Sequence, residues 1–181
     1  QARAYWRRRG LDDKTIVRFG LGYAPNDGQA LYQYLRDKGY NQQELDASGL
    51  FKRSQSGRIY CLFWKRVMTP IFDLRGNIIA FGGRVMDDSK PKYVNSPETL
   101  VYHKSETVFA MQIAKRSASR RFVLCEGYMD VISMQQAGID TAVCACGTAL
   151  TPGQVRIISE YADEVILSYD SDEAGQKATL R

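Results

Sequence analysis

The chain is poor in the residues that build transition-metal centres and nucleophilic triads. It has one histidine, His103, and four cysteines, Cys61, Cys125, Cys144 and Cys146. Cys144 and Cys146 are separated by a single residue, too tight for a structural zinc site, and the others show no zinc spacing. No zinc is expected here, and a lone histidine is a poor basis for a triad. No apolar run approaches the roughly 18 residues of a membrane span. The N-terminus is basic without an apolar core region, so neither a signal peptide nor a membrane partner is expected. Cys125 and Cys144 fall in buried-strand patterns and read as reduced core residues of a cytoplasmic protein. The remaining composition is that of an ordinary globular chain, and 181 residues suffice for one domain or two small ones.

Charge is unevenly placed. The net charge is +5. Residues 1–121 carry 22 Lys plus Arg against 11 Asp plus Glu, a net of +11, and residues 122–181 carry 3 against 9, a net of −6. A basic half beside an acidic half suits a nucleic-acid enzyme, one part holding phosphates and the other metal.

The acidic half contains two short apolar strands that each end in acid. Phe122 to Cys125 runs into Glu126-Gly127-Tyr128-Met129-Asp130, and Val165 to Tyr169 into Asp170-Ser171-Asp172-Glu173-Ala174-Gly175. Continuous apolar runs of this length suit buried parallel strands, and open parallel sheets bind ligands outside the carboxyl ends of their strands. Glu126 and Asp130 lie four apart, about one helical turn, and Asp170 and Asp172 two apart, on one side of an extended segment. Four carboxylates in one place repel unless a cation holds them ionised, and oxygen-only ligands favour magnesium or manganese. Such a set points to phosphoryl or nucleotidyl chemistry. An acid after a strand also serves as a helix cap, a role that suits Asp172.

Residues 2–9 read as a helix stopped by Gly10, with Asp12-Asp13 opening the next. Residues 21–25 read as extended, Leu31 to Lys38 and Gln42 to Ala47 as helices, and residues 67–73 and 77–81 as a hairpin around Leu74-Arg75-Gly76. Gly82-Gly83-Arg84 is expected after the second strand. Residues 90–99 form a polar segment rich in loop formers, with cations and rings that suit single-stranded nucleic acid or a surface loop equally. A helix is expected over 108–117, a boundary at 118/119, and then alternating strands and helices in a parallel sheet with right-handed crossovers. Gly147 to Thr151 would bring its amides to a phosphate or simply cap the helix at Pro152.

The phrases Glu126 to Asp130, Gly147 to Thr151 and Asp170 to Gly175 together resemble the toprim domain of bacterial DnaG-type primases. Ser171 stands where that pattern more often has glycine. Phe81-Gly82-Gly83-Arg84, Pro91 to Thr99, His103-Lys104, Arg9-Gly10-Leu11 and Leu21 to Pro25 resemble, in order, the basic subdomain in front of it. The resemblance implies an α/β toprim fold, a parallel sheet with flanking helices over 119–181, preceded by a basic mixed α+β subdomain over 1–118. It implies that Glu126, Asp130, Asp170 and Asp172 hold Mg2+, with Mn2+ a substitute. It implies that Arg84, Lys92, Tyr93, Asn95 and Lys104 face the metal and hold triphosphate and template, with Arg9 on the single strand.

The activity implied is synthesis of short RNA primers on single-stranded DNA from ribonucleoside triphosphates by a DNA-directed RNA polymerase of bacterial replication. A replicative helicase would be contacted through a region outside this chain. The sequence resembles a fragment: the family's toprim domain continues with a further acidic element, so weak or absent polymerase activity is expected. Two alternatives remain at this stage. One is a toprim-type metal-dependent nuclease or topoisomerase, although no tyrosine is marked as a nucleophile. The other is a non-catalytic single-strand-binding module.

Overall fold

The computed structural model describes residues 2–146 and 149–170. Two short helices open the chain, α1 (Ala2–Arg8) and α2 (Asp13–Arg18). Gly10, at φ +86°, takes the left-handed turn between them. Asp12 caps α2 by accepting the Thr15 N–H at 2.7 Å. Strand β1 (Gly22–Ala24) and helices α3 (Ala30–Asp37) and α4 (Gln42–Ala47) follow where the sequence places them.

A ribbon of β2 (Phe51–Arg53) and β3 (Ile59–Cys61) leads to β4 (Arg66–Phe72) and β5 (Ile78–Val85). The β4–β5 turn is held by Asp73, whose carboxylate accepts the N–H groups of Arg75 and Asn77, both at 2.8 Å. With β6 (Tyr93–Asn95) these strands form an antiparallel sheet in the order β1-β4-β5-β6. Pro70 is tolerated inside β4 because β1 pairs only as far as Met68, so no neighbour needs the missing N–H. Two expectations are corrected here. Strand β5 does not stop before Gly82 but continues through Gly83 and Arg84 to Val85, and the centre of the polar segment over 90–99 is a strand.

A single 3-10 turn (Lys104–Glu106) precedes β7 (Val108–Phe109) and α5 (Met111–Ala114). The helix expected over 108–117 is therefore mostly absent. Its first two residues pair instead with a distant strand, and Ala110, at φ +64°, breaks the chain before the helix starts. Then come β8 (Arg121–Cys125), α6 (Tyr128–Gln136), β9 (Ala142–Ala145), α7 (Pro152–Ser159) and β10 (Glu164–Ser168). The second sheet has the order β10-β8-β9-β7. Strands β10, β8 and β9 are parallel, as expected, and β7 closes one side antiparallel to β9. The helix expected over 173–181 lies outside the described residues.

Because β9 and β10 lie on opposite sides of β8, the chain reverses direction across the sheet between β8 and β10. That reversal opens a crevice at the strands' carboxyl ends, where Glu126 and Asp170 stand. The two sheets share one core. Trp6, Phe19, Val67 and Ile71 from the first half are buried in one cluster with Val131, Ile132, Ala142 and Cys144 from the second. Gln136 at the end of α6 adds a polar pin, donating to the Gly10 carbonyl and accepting from the Asp12 N–H, both at 2.9 Å. No helix among the described residues is long and apolar enough to cross a membrane.

Candidate functional site

The two halves meet across a cleft of about 610 Å3. One wall is acidic. Glu126 follows β8, Asp130 sits in the first turn of α6, and Asp170 follows β10; all three line the cleft and are exposed. The backbone N–H of Asp170 donates to Glu126 Oε2 at 3.2 Å, which ties the two strand ends together. Asp130 Oδ2 accepts the Gly127 N–H at 3.0 Å, a capping bond at the start of α6. Capping and facing the cleft thus coexist in Asp130. Among the described residues, Glu126 Oε1 and Asp130 Oδ1 have no hydrogen-bond partner and none of the three acids pairs with a Lys or Arg. Asp172 lies outside the described residues, as do Gly147 and Thr148 of the loop after β9. Among the described residues, no group of three His, Cys, Asp or Glu side chains is gathered tightly enough to hold a metal ion.

The facing wall is cationic and aromatic. Arg84 and Tyr93 are register partners on β5 and β6, and both line the cleft with Asn95, with Trp6 from α1 and with Arg9 just past its end. The Arg84 guanidinium donates from Nε to the Tyr93 hydroxyl at 3.1 Å, and from Nη1 to the Tyr5 hydroxyl and the Val85 carbonyl. Its carbon lies 5.6 Å from the ring centres of both Tyr5 and Tyr93. Lys92 holds its ammonium 6.0 Å from the Tyr93 ring centre. Behind this strand the buried Arg66 donates to the carbonyls of Pro91 (2.8 Å) and Lys92 (3.3 Å), fixing the segment that carries Lys92 and Tyr93. Burial lowers the pKa of Arg66 from its ordinary value.

Of the residues singled out in the sequence, Glu126, Asp130, Asp170, Arg84, Tyr93, Asn95 and Arg9 share this one cleft. Lys92 and Lys104 do not line it. Lys104 begins the 3-10 turn, its N–H donating to Glu98 Oε1 at 2.9 Å, and its charge acts on Cys146 just past β9. The sequence reading missed Tyr5, Trp6, Thr69 and Tyr128. Tyr5 on α1 stands four residues before Arg9, which follows the helix end, and that spacing was the available signal.

Thr151 caps α7. Thr151 accepts the Gln154 N–H at 3.2 Å and donates to the Ser105 carbonyl. Gln154, fully buried, donates to the carbonyls of Lys104 (2.8 Å) and Thr107 (2.9 Å) and so docks α7 against the turn. Beneath the cleft, the Cys125, Cys144 and Cys146 thiols are buried and free. Desolvation pushes Cys125 and Cys146 up to about 11.

A parallel α/β unit with acids at its switch point, set against a basic antiparallel sheet, defines the class: a toprim-like module fused to a basic partner. Residues 1–115 match the family described as DNA primase catalytic core, N-terminal domain, and residues 123–181 match the family described as Toprim-like. The chain belongs to the family of DNA primase catalytic cores. It is similar to the DNA primase of Clostridium acetobutylicum, at 45% identity over 182 aligned residues. That match covers 100% of this chain and 30% of the relative, so the chain spans under a third of that protein's length. Among solved structures it resembles the Escherichia coli primase catalytic core, with a TM-score of 0.91, 38% identity, and coverage of 99% of this chain and 58% of that one. It also resembles the RNA polymerase domain of Mycobacterium tuberculosis primase DnaG, solved with a double-stranded DNA oligomer bearing a 6-nucleotide overhang. There the TM-score is 0.89 and the identity 36%, covering 99% of this chain and 59% of that one.

Proposed function

We propose that this chain handles template and nucleotide in primer synthesis: the metal-dependent joining of ribonucleotides on single-stranded DNA. One observation carries the reading. A single cleft sets Glu126, Asp130 and Asp170 against Arg84, Tyr93, Asn95 and Arg9. In this reading the reaction is attack of a ribonucleotide 3′-hydroxyl on the α-phosphate of the next nucleoside triphosphate.

The donor chemistry of the acidic wall suits a hard divalent cation, with Asp172 needed to complete a set that the three described acids do not form by themselves. Its donors are oxygens only, and among the described residues Glu126 Oε1 and Asp130 Oδ1 have no hydrogen-bond partner and no cation neutralises the acids. Glu126 and Asp170, with Asp130 and with Asp172 from beyond the described residues, would hold Mg2+, with Mn2+ as substitute. When bound, such an ion neutralises the triphosphate and acidifies the attacking hydroxyl. Glu126 holds the two strand ends in register by accepting the Asp170 N–H. Arg84 supplies a fixed positive charge on the substrate side, and Arg9 another where the single strand enters. Lys92 and Lys104 add charge outside the cleft, where they attract phosphate at longer range.

We place the subdomain boundary at 118/119. The helicase contact that the resemblance implies is proposed for parts of the longer relatives that this chain does not cover, and the setting is the bacterial cytoplasm at the replisome.

The test is manganese binding to the purified chain, with and without ATP. Wild type is compared with Glu126→Gln and with the double variant Asp170→Asn/Asp172→Asn. Binding that ATP strengthens and that both variants weaken at least tenfold is the expected result. Binding unchanged in the variants would reduce the acids to caps and surface charges. A labelled single strand cut into shorter products under magnesium would favour a nuclease instead.

A further inference from the structure

We infer that Tyr5 is a positioning residue for Arg84, holding its guanidinium so that one edge is presented to a phosphate in the cleft. The inference rests on the cleft being the nucleotide- and template-binding site proposed above.

The argument starts from what Arg84 has left to offer. A free arginine side chain carries many rotamers and must be ordered when it binds an anion. Here the ordering is already complete. Nε is engaged with Tyr93, and Nη1 with Tyr5 and the Val85 carbonyl. Rings stand 5.6 Å from the guanidinium carbon on account of both tyrosines. Among the described residues only Nη2 lacks a hydrogen-bond partner, and no carboxylate pairs with the group. The cation is held by neutral partners, so its charge stays available.

The two tyrosines differ in origin. Tyr93 meets Arg84 because they are register partners on adjacent strands, a contact the sheet itself enforces. Tyr5 arrives from α1, 79 residues away, and is buried at 6% exposure with its ring edge-on to Trp6 at 5.2 Å. For packing alone a phenylalanine would serve. The hydroxyl's one hydrogen-bond partner among the described residues is Arg84. A buried hydroxyl carries a desolvation penalty unless it is partnered, and here Arg84 is the partner. The arrangement also changes the part played by Tyr93. With Arg84 over its ring, Tyr93 braces the cation rather than stacking a base on that face.

The ligand class is a phosphate oxygen, from a nucleoside triphosphate or from a single-stranded backbone, and two titrations separate the sources. The probes are ATP with magnesium and a short oligothymidylate. Tyr5→Phe keeps the ring and removes the hydroxyl; Arg84→Ala removes the cation; Arg84→Lys keeps charge and loses the fork. Far-ultraviolet circular dichroism melting checks that each variant folds. Tyr5→Phe should weaken at least one probe on the order of fivefold, the effect of one charge-assisted hydrogen bond acting indirectly. The same substitution should have no further effect in the Arg84→Ala or Arg84→Lys background, the signature of coupling rather than general loosening. Loss on ATP alone assigns Nη2 to the triphosphate; loss on the oligomer alone assigns it to the template. If Tyr5→Phe binds both probes like wild type while Arg84→Ala binds them weakly, the positioning role is overturned and the cleft reading stands. If Tyr5→Phe weakens binding equally with and without Arg84, its role is structural only. If Arg84→Ala binds both probes like wild type, the cleft reading fails, and the positioning role with it.

Discussion

A Cβ placed on Gly82 would stand 2.6 Å from Cε2 of Tyr128. That near-contact joins β5 of the basic sheet to the first residue of α6, so the glycine sets how closely the two walls of the cleft approach. Tyr128 in turn packs on Phe109 at 4.7 Å between ring centres, which limits the ring's retreat on that side.

Gly82→Ala should therefore wedge the walls apart. Overpacking of this kind costs about 1–3 kcal/mol. Urea unfolding should show the loss, and adding Tyr128→Leu should recover part of it. An alanine variant as stable as wild type would mean that the joint yields easily.

Gln154→Leu should be among the costlier single changes in the second half. It removes the donor from two carbonyls, those of Lys104 and Thr107, at a site with 0% exposure. The Lys104 carbonyl keeps the Thr107 N–H at 3.4 Å, whereas the Thr107 carbonyl is left unpaired among the described residues, so a loss of about 1–3 kcal/mol is expected in chemical denaturation. Because the bonds hold the 3-10 turn, amide exchange of Glu106 and Thr107 should accelerate more than that of β4.

Single-strand binding should be steeply salt-dependent, with log affinity falling linearly against log salt by roughly 0.7 per phosphate contact. Arg9→Ala should make that slope shallower by about one contact, and Arg84→Ala should do the same where the oligothymidylate titration assigns Nη2 to the template. A variant that weakens binding at every salt without changing the slope would act through folding and not through phosphate.

The thiols give a pH prediction. Cys125 and Cys146 titrate near 11 in the fold against an ordinary value of 9.0, because burial disfavours the thiolate. Their contribution to stability is complete below about pH 9 and is lost as the pH rises towards 11, since the unfolded chain releases protons first. Stability should fall across that window. At pH 8 a water-soluble disulfide reagent should leave the native cysteines unmodified and should titrate all four after denaturation. Rapid modification of a native thiol at pH 8 would contradict this.

Local chemistry made much of the molecule legible. Asp73 and Gly76 announce the hairpin, Asp12 and Thr151 announce helix starts, and the acids after β8 and β10 announce the crevice, because each signal resides in neighbouring residues. The misreadings share one physical origin, contacts made at long range. Val108 and Phe109 have the apolar character of a helix face, but their partners are Ala145 and Cys144 on β9, and tertiary pairing overrides local preference. Gly82 and Gly83 look like a strand end until Tyr128 and Phe63 press against them; a glycine inside a strand marks such an approach. Tyr93 to Asn95 is strand only because β5 lies beside it. Of the charged residues singled out, Glu126, Asp130, Asp170, Arg84 and Arg9 line the cleft and Lys92 and Lys104 do not, whereas Tyr5, whose one hydrogen-bond partner among the described residues lies 79 positions away, carried no such signal.

Strand β7 has a bearing on how such proteins can be taken apart and recombined. It lies before the proposed 118/119 boundary in the chain, yet it is a member of the second sheet. Cutting between residues 118 and 119 would remove it and leave β9 with a bare edge on the side of Val108 and Phe109, an invitation to self-association. A chimera that grafts this α/β unit onto another basic partner should carry its junction upstream of Lys104, so that the turn, β7 and the Gln154 anchor travel together. The family matches break between residues 115 and 123; for a chimera, the β7–β9 pairing and the Gln154 hydrogen bonds favour the earlier junction.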